Sequence, residues 1–387
     1  MSSSSAILFG ICGSISAYKS LDVIRLLKKS NTHITPILSA SAPKFVTPWS
    51  VETLAENELL SNDVENGKIV HLEALKEKAL FAICPASANT IAKLAAGIAD
   101  DMLSASFLSY TGKRILFPAM HTEMYENSIT KSNIEALKKQ GVVVITPDQG
   151  DLACGDMGVG RLPHPECIAQ VINAHCQHPS LSLQNTHVVI TAGGTSEAID
   201  PVRSITNHAS GLSGHALANI AYGFGAKVTL IRTISHPVFS GVSCIDVTSA
   251  AELSSALMSV QSDTDILFMN AAVSDFTTQQ AVTKQARTNH MKLELTPTED
   301  ILKAFNLSKP SHCISVGYCL SDASDIVPIA NEKLKKKQCD FIIANTPNNF
   351  GQPFRSIAVI DASLNHTNIS GSLSEISSEL LHLILNH

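Results

Sequence analysis

The feature that most constrains this chain is an alternation that runs twice. Short apolar runs of strand length recur at residues 6–9, 35–38, 80–84, 114–117 and 142–145, with helical patterns at 16–29, 89–95 and 128–139 between them. Strand, helix, strand in repetition predicts a parallel sheet with helices on both faces. Pro, Ser, Gln and Asn cluster at 176–185, which reads as a linker. The alternation then starts afresh. Strands are expected at 188–191, 227–231, 266–269, 314–316, 341–344 and 357–360, a helix at 215–224, and a closing helix at 373–385. The chain is long enough, at 387 residues, for two such α/β domains.

Composition narrows the class. A formal charge of −6 gives no bulk attraction for nucleic acid or an anionic membrane. Nine cysteines with no CxxC spacing indicate neither a disulfide framework nor a zinc site, and predict a reducing, cytoplasmic compartment. The run 6–9 is too short for the apolar core of a signal peptide. No stretch approaches the ~20 apolar residues of a membrane span.

Each half begins with a strand that enters a glycine-containing turn. In the first, Gly10-Ile11-Cys12-Gly13-Ser14-Ile15-Ser16 offers backbone N–H groups and hydroxyls, Gly13 and Ser14 foremost, that suit a phosphate. Its poor match to GxGxxG favours a mononucleotide over a dinucleotide. Ser39 ends the second strand and could add a hydroxyl. Pro85-Ala86-Ser87-Ala88-Asn89 ends the third with small and polar groups, Ser87 and Asn89 among them, as a wall along a flat ring would. The same residues would also serve as ordinary strand-to-helix turns with capping hydroxyls. Further on, Ala153-Cys154-Gly155-Asp156-Met157-Gly158-Val159-Gly160-Arg161 reads as a glycine-rich loop able to carry a thiol over a bound molecule.

These segments, with Pro118-Ala119-Met120, occur in the order found in flavin-dependent cysteine decarboxylases. Residues 153–161 match that family's ACGDxGxGR without a gap. The whole chain resembles the bacterial bifunctional phosphopantothenoylcysteine decarboxylase/phosphopantothenate–cysteine ligases. The resemblance implies a flavodoxin-like doubly wound parallel sheet domain followed by a second Rossmann-like α/β domain. It implies an FMN-binding decarboxylase at 1–176, a linker at 177–186 and a ligase at 187–387. Oxidising the thiol carbon of a cysteinyl substrate creates an electron sink that lets CO2 leave, and a flavin can take the hydride where no side chain can. The resemblance makes His71 the base that starts this oxidation and Cys154 the proton donor. Gly13, Ser14, Ser39, Ser87 and Asn89 become FMN contacts, and Met120, His121, Met124 and Arg161 substrate contacts. The family clamp reads PxMNxxMW; here His121 replaces the asparagine and Tyr125 the tryptophan.

In the second half, Thr191-Ala192-Gly193-Gly194-Thr195 follows a strand, and Asn270-Ala271-Ala272-Val273-Ser274-Asp275 ends another. Small residues at that strand end would let a base or ribose lie against the backbone, and Asp275 could accept from sugar hydroxyls. Joining a carboxylate to an amine needs a nucleoside triphosphate, and the charge on its phosphates calls for cations and a metal ion. Lys284, Lys333 and Lys337 are candidates; the last two, four residues apart, share a helix face. A lysine run is also the ordinary signature of a solvated helix surface. By resemblance Asn207 orients the acyl intermediate, Lys284 is catalytic, and Asn270, Ala271, Asp275, Lys284, Asp300, Tyr318, Lys333 and Lys337 hold CTP. The family's lysine after its NHSSG stretch is Leu212 here, and its GFxxET is Gly317-Tyr318-Cys319-Leu320-Ser321-Asp322. The residues single out no metal ligands.

The expected function is therefore a pair of steps in coenzyme A synthesis. CTP and Mg2+ drive ligation of 4′-phosphopantothenate to cysteine, and FMN-dependent decarboxylation gives 4′-phosphopantetheine. The partners are these small molecules, without nucleic acid or membrane, in a homo-oligomer with the flavin site between subunits. Two readings compete. One is a working ligase fused to a catalytically silent flavin domain, motivated by His121. The other is a nicotinamide-dependent reductase built of two dinucleotide domains.

Overall fold

The computed structural model describes residues 5–60, 64–65, 68–69, 74–152, 155–278, 284, 292–322, 326–349, 352 and 354–386. His71 and Cys154 lie outside the described residues. The chain divides into two compact units, Met1–Leu181 with Phe239–Gly241, and Ser182–Val238 with Val242–His387.

The first unit is built on a five-stranded sheet of β1 (Ala6–Ile11), β2 (His33–Leu38), β3 (Leu80–Ala86), β4 (Lys113–Pro118) and β5 (Val143–Val144). Every neighbouring pair is parallel, and the spatial order is β2-β1-β3-β4-β5. That is the flavodoxin order, whose reversal between β1 and β3 opens a crevice at their carboxyl ends. Ile7, Leu8, Phe9, Phe81 and Ile83 are fully buried because helices cover both faces, which is why these strands read as unbroken apolar runs. Helix α1 (Ala17–Lys29) turns Val23, Ile24 and Leu27 inward and ends on Lys28 and Lys29, which complement its dipole. Helix α2 is Pro48–Ala55. Helix α3 (Ala88–Ala96) starts where the Ser87 hydroxyl accepts the Thr90 N–H at 3.3 Å and stops at Gly97 in the left-handed region. Helices α4 (Met102–Ser109), α5 (Thr122–Glu126), α6 (Ser128–Lys139) and α7 (Pro165–Gln177) complete the unit.

Two expectations change here. The glycine-rich stretch is a strand from Met157 onward: β7 (Met157–Arg161) pairs antiparallel with β6 (Asp148–Asp151). Its glycines serve close approach. A Cβ on Gly160, at φ +145°, would lie 2.0 Å from the Met120 carbonyl oxygen, and one on Gly158 would lie 2.1 Å from the Thr122 hydroxyl. Helix α7 also continues through Cys176 to Gln177, with His175 buried on its inner face, so the apparent linker begins within a helix.

The second unit carries an eight-stranded sheet. Its parallel part holds β8 (His187–Ala192), β11 (Lys227–Arg232), β12 (Ser243–Asp246), β13 (Ile266–Met269), β16 (Ile314–Leu320) and β17 (Phe341–Asn345), in the order β12-β11-β8-β13-β16-β17. This is the Rossmann arrangement, with its switch point between β8 and β13. Two antiparallel strands, β18 (Arg355–Asp361) and β19 (His366–Gly371), extend the edge. Small ribbons, β9 (Ser196–Ala198) with β10 (Ser204–Thr206) and β14 (Phe276–Thr278) with β15 (Leu295–Pro297), lie outside the sheet. The helices are α8 (Leu212–Gly223), α9 (Ala250–Val260), α10 (Ile301–Ser308), α11 (Val327–Lys337) and α12 (Leu373–Leu385). Leu253, Leu257, Leu267 and Phe305 are fully buried in one cluster between sheet and helices, where truncating Phe305 would cost about 3–5 kcal/mol.

Candidate functional site

A cavity of ≈ 690 Å³ opens at the carboxyl ends of β1 and β3. Gly13 and Ser14 line it from the first turn, Ser87 and Asn89 from the start of α3, Met120, His121 and Met124 from the segment after β4, and Arg161 from the end of β7. Four stretches far apart in sequence thus meet at one crevice. The volume lies within the range of small-molecule sites. The turn is tight: a Cβ on Gly13 would stand 2.3 Å from the Ser41 hydroxyl. Ser14 Oγ lies 3.0 Å from Ser16 Oγ and accepts the Ser16 N–H at 3.4 Å, so the turn gathers hydroxyls as well as amides.

Ser39 is the exception. It sits in the bend after β2, where its N–H donates to the Ile11 carbonyl and its hydroxyl is buried without a hydrogen-bond partner. Ser41, two residues on, lines the cavity instead.

The cavity is cationic at one side. Lys19 reaches it from the first turn of α1 and Arg161 from β7, and neither forms an ion pair or side-chain hydrogen bond among the described residues. Burial, with the Arg161 guanidinium next in weight, holds the Lys19 ammonium below its ordinary value, while Asp148 pulls it the other way. Burial raises the Asp148 carboxyl, against its hydrogen bond from the Ser240 N–H and the charge of Arg161. An anion would relieve the repulsion between Lys19 and Arg161. Sequence reasoning missed Lys19; its signal was a cation placed three residues beyond a phosphate-type turn.

His121 precedes α5 and faces two carboxylates. Its Nδ1 lies 3.0 Å from Glu123 and its Nε2 3.2 Å from Asp156. Asp156 belongs to the tip of the β6–β7 ribbon, where its carbonyl accepts the Leu152 N–H at 2.8 Å. Leu152 itself lines the cavity.

In the second unit the switch point is knitted from backbone contacts. The Ala272 N–H donates to the Gly193 carbonyl at 2.8 Å, and the Thr195 N–H to the Ala272 carbonyl at 3.1 Å. Thr191 Oγ1 accepts the Ala271 N–H at 2.9 Å, and Thr195 Oγ1 the Ser274 N–H at 2.9 Å. Asn207 lies across this seam, its Nδ2 donating to the carbonyls of Ala272 and Val273, both at 3.2 Å. A Cβ on Gly194 would meet the Asn207 carbonyl at 2.5 Å, and one on Gly214 would lie 3.1 Å from the Asn270 amide. Asp275 is exposed, and its carbonyl accepts the Thr298 N–H at 3.0 Å.

Two residues on, Asp300 caps α10 by accepting the Lys303 N–H and takes a second bond from Lys337 Nζ at 3.0 Å. Lys333 and Lys337 are half-buried on one face of α11, whereas Lys335 and Lys336 are exposed. Tyr318 is half-buried on β16, and burial pushes its hydroxyl upward. The structure thus lays Asn207 against the segment that follows Asn270 and Ala271, leaves Asp275 exposed beyond it, and links Asp300 to Lys337. Lys284 is exposed, with no hydrogen bond or ion pair among the described residues. No group of three or more His, Cys, Asp or Glu among the described residues is placed to hold a metal. Among the described residues, no helix is long and apolar enough to cross a membrane.

Comparison with known proteins accounts for both units. Residues 1–177 match the Flavoprotein family, and residues 183–387 match the DNA/pantothenate metabolism flavoprotein C-terminal domain. The coenzyme A biosynthesis bifunctional protein CoaBC of Borreliella burgdorferi is 33% identical over 384 residues, covering 98% of each chain. The protein of that name from Bacillus subtilis is 38% identical over 347 residues, 88% of this chain and 85% of its own. A crystal structure of the C-terminal domain of a CoaBC protein is 28% identical, with a TM-score of 0.46, and covers 53% of this chain and 96% of that one. The flavodoxin and Rossmann sheets, the order of the two matched domains and these full-length relatives agree, and the chain belongs to the family of bifunctional coenzyme A biosynthesis proteins CoaBC.

Proposed function

We propose that the second unit joins 4′-phosphopantothenate to cysteine at the expense of CTP, and that the first decarboxylates the product to 4′-phosphopantetheine with FMN. The observation that carries the first-unit reading is the convergence of residues 13–14, 87–89, 120–124 and 161 on one cavity at a flavodoxin switch point. The cavity fits a mononucleotide. The Gly13 and Ser14 turn, with the Ser41 hydroxyl pressed against it, suits a phosphate. Bound FMN would supply hydride acceptance, which no side chain offers. Ser87 and Asn89 would flank its ring. Met120, His121, Met124 and Arg161 would hold the substrate, with the carboxylate drawn to the Lys19 and Arg161 side. Cys154 as proton donor and His71 as base rest on the motif match; Leu152, two residues before Cys154, lines the cavity.

In the second unit, Asn207 would orient the activated acyl group, with Lys284 assisting. Asn270, Ala271 and Asp275 would receive the nucleoside, and Asp300, Tyr318, Lys333 and Lys337 the rest of CTP. Mg2+ would be bound chiefly through triphosphate oxygens, which needs few protein ligands.

A homo-oligomer with the flavin site between subunits accounts for apolar side chains left open around the cavity. Ile15 and Tyr18 line it and are 59% and 55% exposed. Trp49, eight residues past Ser41, is 80% exposed. The eight described cysteines are free thiols, as a cytoplasmic location requires.

The test is direct. Purified protein should show a flavin spectrum and consume CTP only when phosphopantothenate and cysteine are both present. It should release CO2 from 4′-phosphopantothenoylcysteine and not from free cysteine. A flavin-loaded protein that ligates without releasing CO2 would leave a silent flavin domain as the better account.

A further inference from the structure

Two histidines outside the residues assigned so far grip the loop that carries Asn207. His215, buried on α8, faces the Gly211 carbonyl with Nδ1 at 2.8 Å. A carbonyl only accepts, so Nδ1 carries the proton. On the other side of the ring, Nε2 faces the His236 backbone N–H at 3.3 Å. An amide only donates, so Nε2 must offer its lone pair. Both contacts together admit one neutral tautomer and exclude the imidazolium. The second imidazole completes the grip: His236 Nε2 lies 2.7 Å from the Ser210 carbonyl, which it can meet only as a donor. The two rings stand edge to face with centroids 4.9 Å apart.

What they hold is closely packed. Gly211 is left-handed at φ +73°, and a Cβ there would lie 2.7 Å from the Ile234 side chain and 3.4 Å from the Gly193 nitrogen. The 207–211 loop therefore rests on the Gly193 turn, and the carbonyls of Ser210 and Gly211 are tied to the 234–236 segment by imidazoles. We propose that His215 and His236 are positioning residues of the ligase site, seating the 207–211 loop on the Gly193 turn, and that protonation of His215 unseats it. This rests on reading the second unit as the ligase.

The surroundings favour the neutral ring. Burial holds His215 below its ordinary value, with His236 and Arg232 on β11 acting in the same direction and the backbone at Gly211 and Ile234 acting against it. Arg355 on β18 donates to Ser213 Oγ at 2.9 Å, at the start of the same helix. His208 shares the loop, and α12, packed along α8, carries Glu375, Glu379 and His382. Neither His215 nor His236 has a carboxylate partner among the described residues. Protonating His215 would bury an unpaired charge and set Nε2–H against the His236 N–H.

The test uses the full chain and CTP-dependent pyrophosphate release with phosphopantothenate and cysteine, followed between about pH 5.5 and 8. His236→Ala should raise KM for phosphopantothenate about fivefold while changing kcat less. His236→Gln keeps an N–H donor near the same place and should return KM to within about twofold of the parent. His215→Asn keeps a donor to Gly211 and removes the titrating ring. The parent's KM should rise toward the acid end of that range, below the ordinary histidine value. The ratio of variant to parent, in which substrate ionisation cancels, should show that rise abolished in His215→Asn. A parent without CTP-dependent ligation would sink the ligase reading and this proposal with it. An active parent whose His236→Ala variant keeps the parental KM, or whose His215→Asn variant keeps the full acid rise, would overturn the positioning role alone. Should His215→Asn fail to fold by circular dichroism, the His236 pair decides.

Discussion

Gly160 and Met120 meet backbone to backbone. The Met120 N–H donates to the Gly160 carbonyl at 3.0 Å, and the Gly160 α-carbon approaches so closely that a Cβ would fall 2.0 Å from the Met120 oxygen. This contact lays the β6–β7 ribbon against the segment that brings Met120, His121 and Met124 to the cavity. A methyl at position 160 faces both the clash and an unfavourable φ of +145°. Gly160→Ala should cost about 1–3 kcal/mol of stability and weaken flavin retention. Thermal melting and flavin absorbance after gel filtration would check this. A variant that melts with the parent and keeps its flavin would show that the ribbon does not depend on the contact.

Cys12 and Cys84 sit at the strand ends beneath the cavity, and burial pushes their thiols up to about 11 and about 12. Desolvation disfavours the thiolate, which is the form that attacks alkylating reagents. At about pH 8 in the folded protein, iodoacetamide should leave both unlabelled, and denaturation should expose both. Peptide mass spectrometry reads the outcome. Rapid labelling of either in the native state would mean that this part of the sheet opens readily.

Lys337 is the α11 cation bonded to Asp300. Lys335, two residues away, is exposed with no partner among the described residues. Lys337→Ala should raise KM for CTP about tenfold or more, the scale of a lost charge-assisted hydrogen bond. Lys335→Ala should leave it within about twofold. Equal effects from both would mean that CTP reads α11 only as a diffuse positive surface.

The parts of the fold that could be read in the chain are those where one physical cause dominates. Strands such as β1, β3 and β8 are buried on both faces, so each is an apolar run with nothing to imitate it. Two helices show how local pattern can hide an element or its start. Helix α4 buries Ser104 and Ser106 along with Met102, Leu103 and Phe107 while Leu108 is exposed, so its sequence shows no apolar stripe. Helix α8 begins at Leu212, three residues earlier than its apolar pattern, because left-handed Gly211 rather than a hydroxyl residue stands at its cap. The strand β7 was masked by its own glycines, whose purpose is contact with Thr122 and Met120 rather than turning. In the site, Gly13, Ser14, Ser87 and Asn89 could be picked out because they follow strand ends. Ser41 and the His215–His236 pair could not, since their roles come from contacts across the fold, and Lys19 offered only its place just past the first turn.

His121 is where this chain departs from the asparagine of its family's clamp, and its setting gives the departure a physical meaning. Both ring nitrogens are engaged, by Glu123 at 3.0 Å and Asp156 at 3.2 Å, so the ring is anchored to the tip of the β6–β7 ribbon as well as to α5. An asparagine could reach one of these carboxylates but not span both. His121→Asn should therefore loosen the tip while restoring an amide for the substrate. His121→Ala should remove both functions and lower kcat/KM for CO2 release about a hundredfold, against about tenfold or less for His121→Asn. Cys154→Ser should retain the flavin spectrum and the CTP-dependent ligation while ending CO2 release. Decarboxylation assays on the three variants, with ligation as the internal control, separate these outcomes. If His121→Ala releases CO2 at the parental rate, the histidine is a tether for the ribbon and takes no part in holding the substrate.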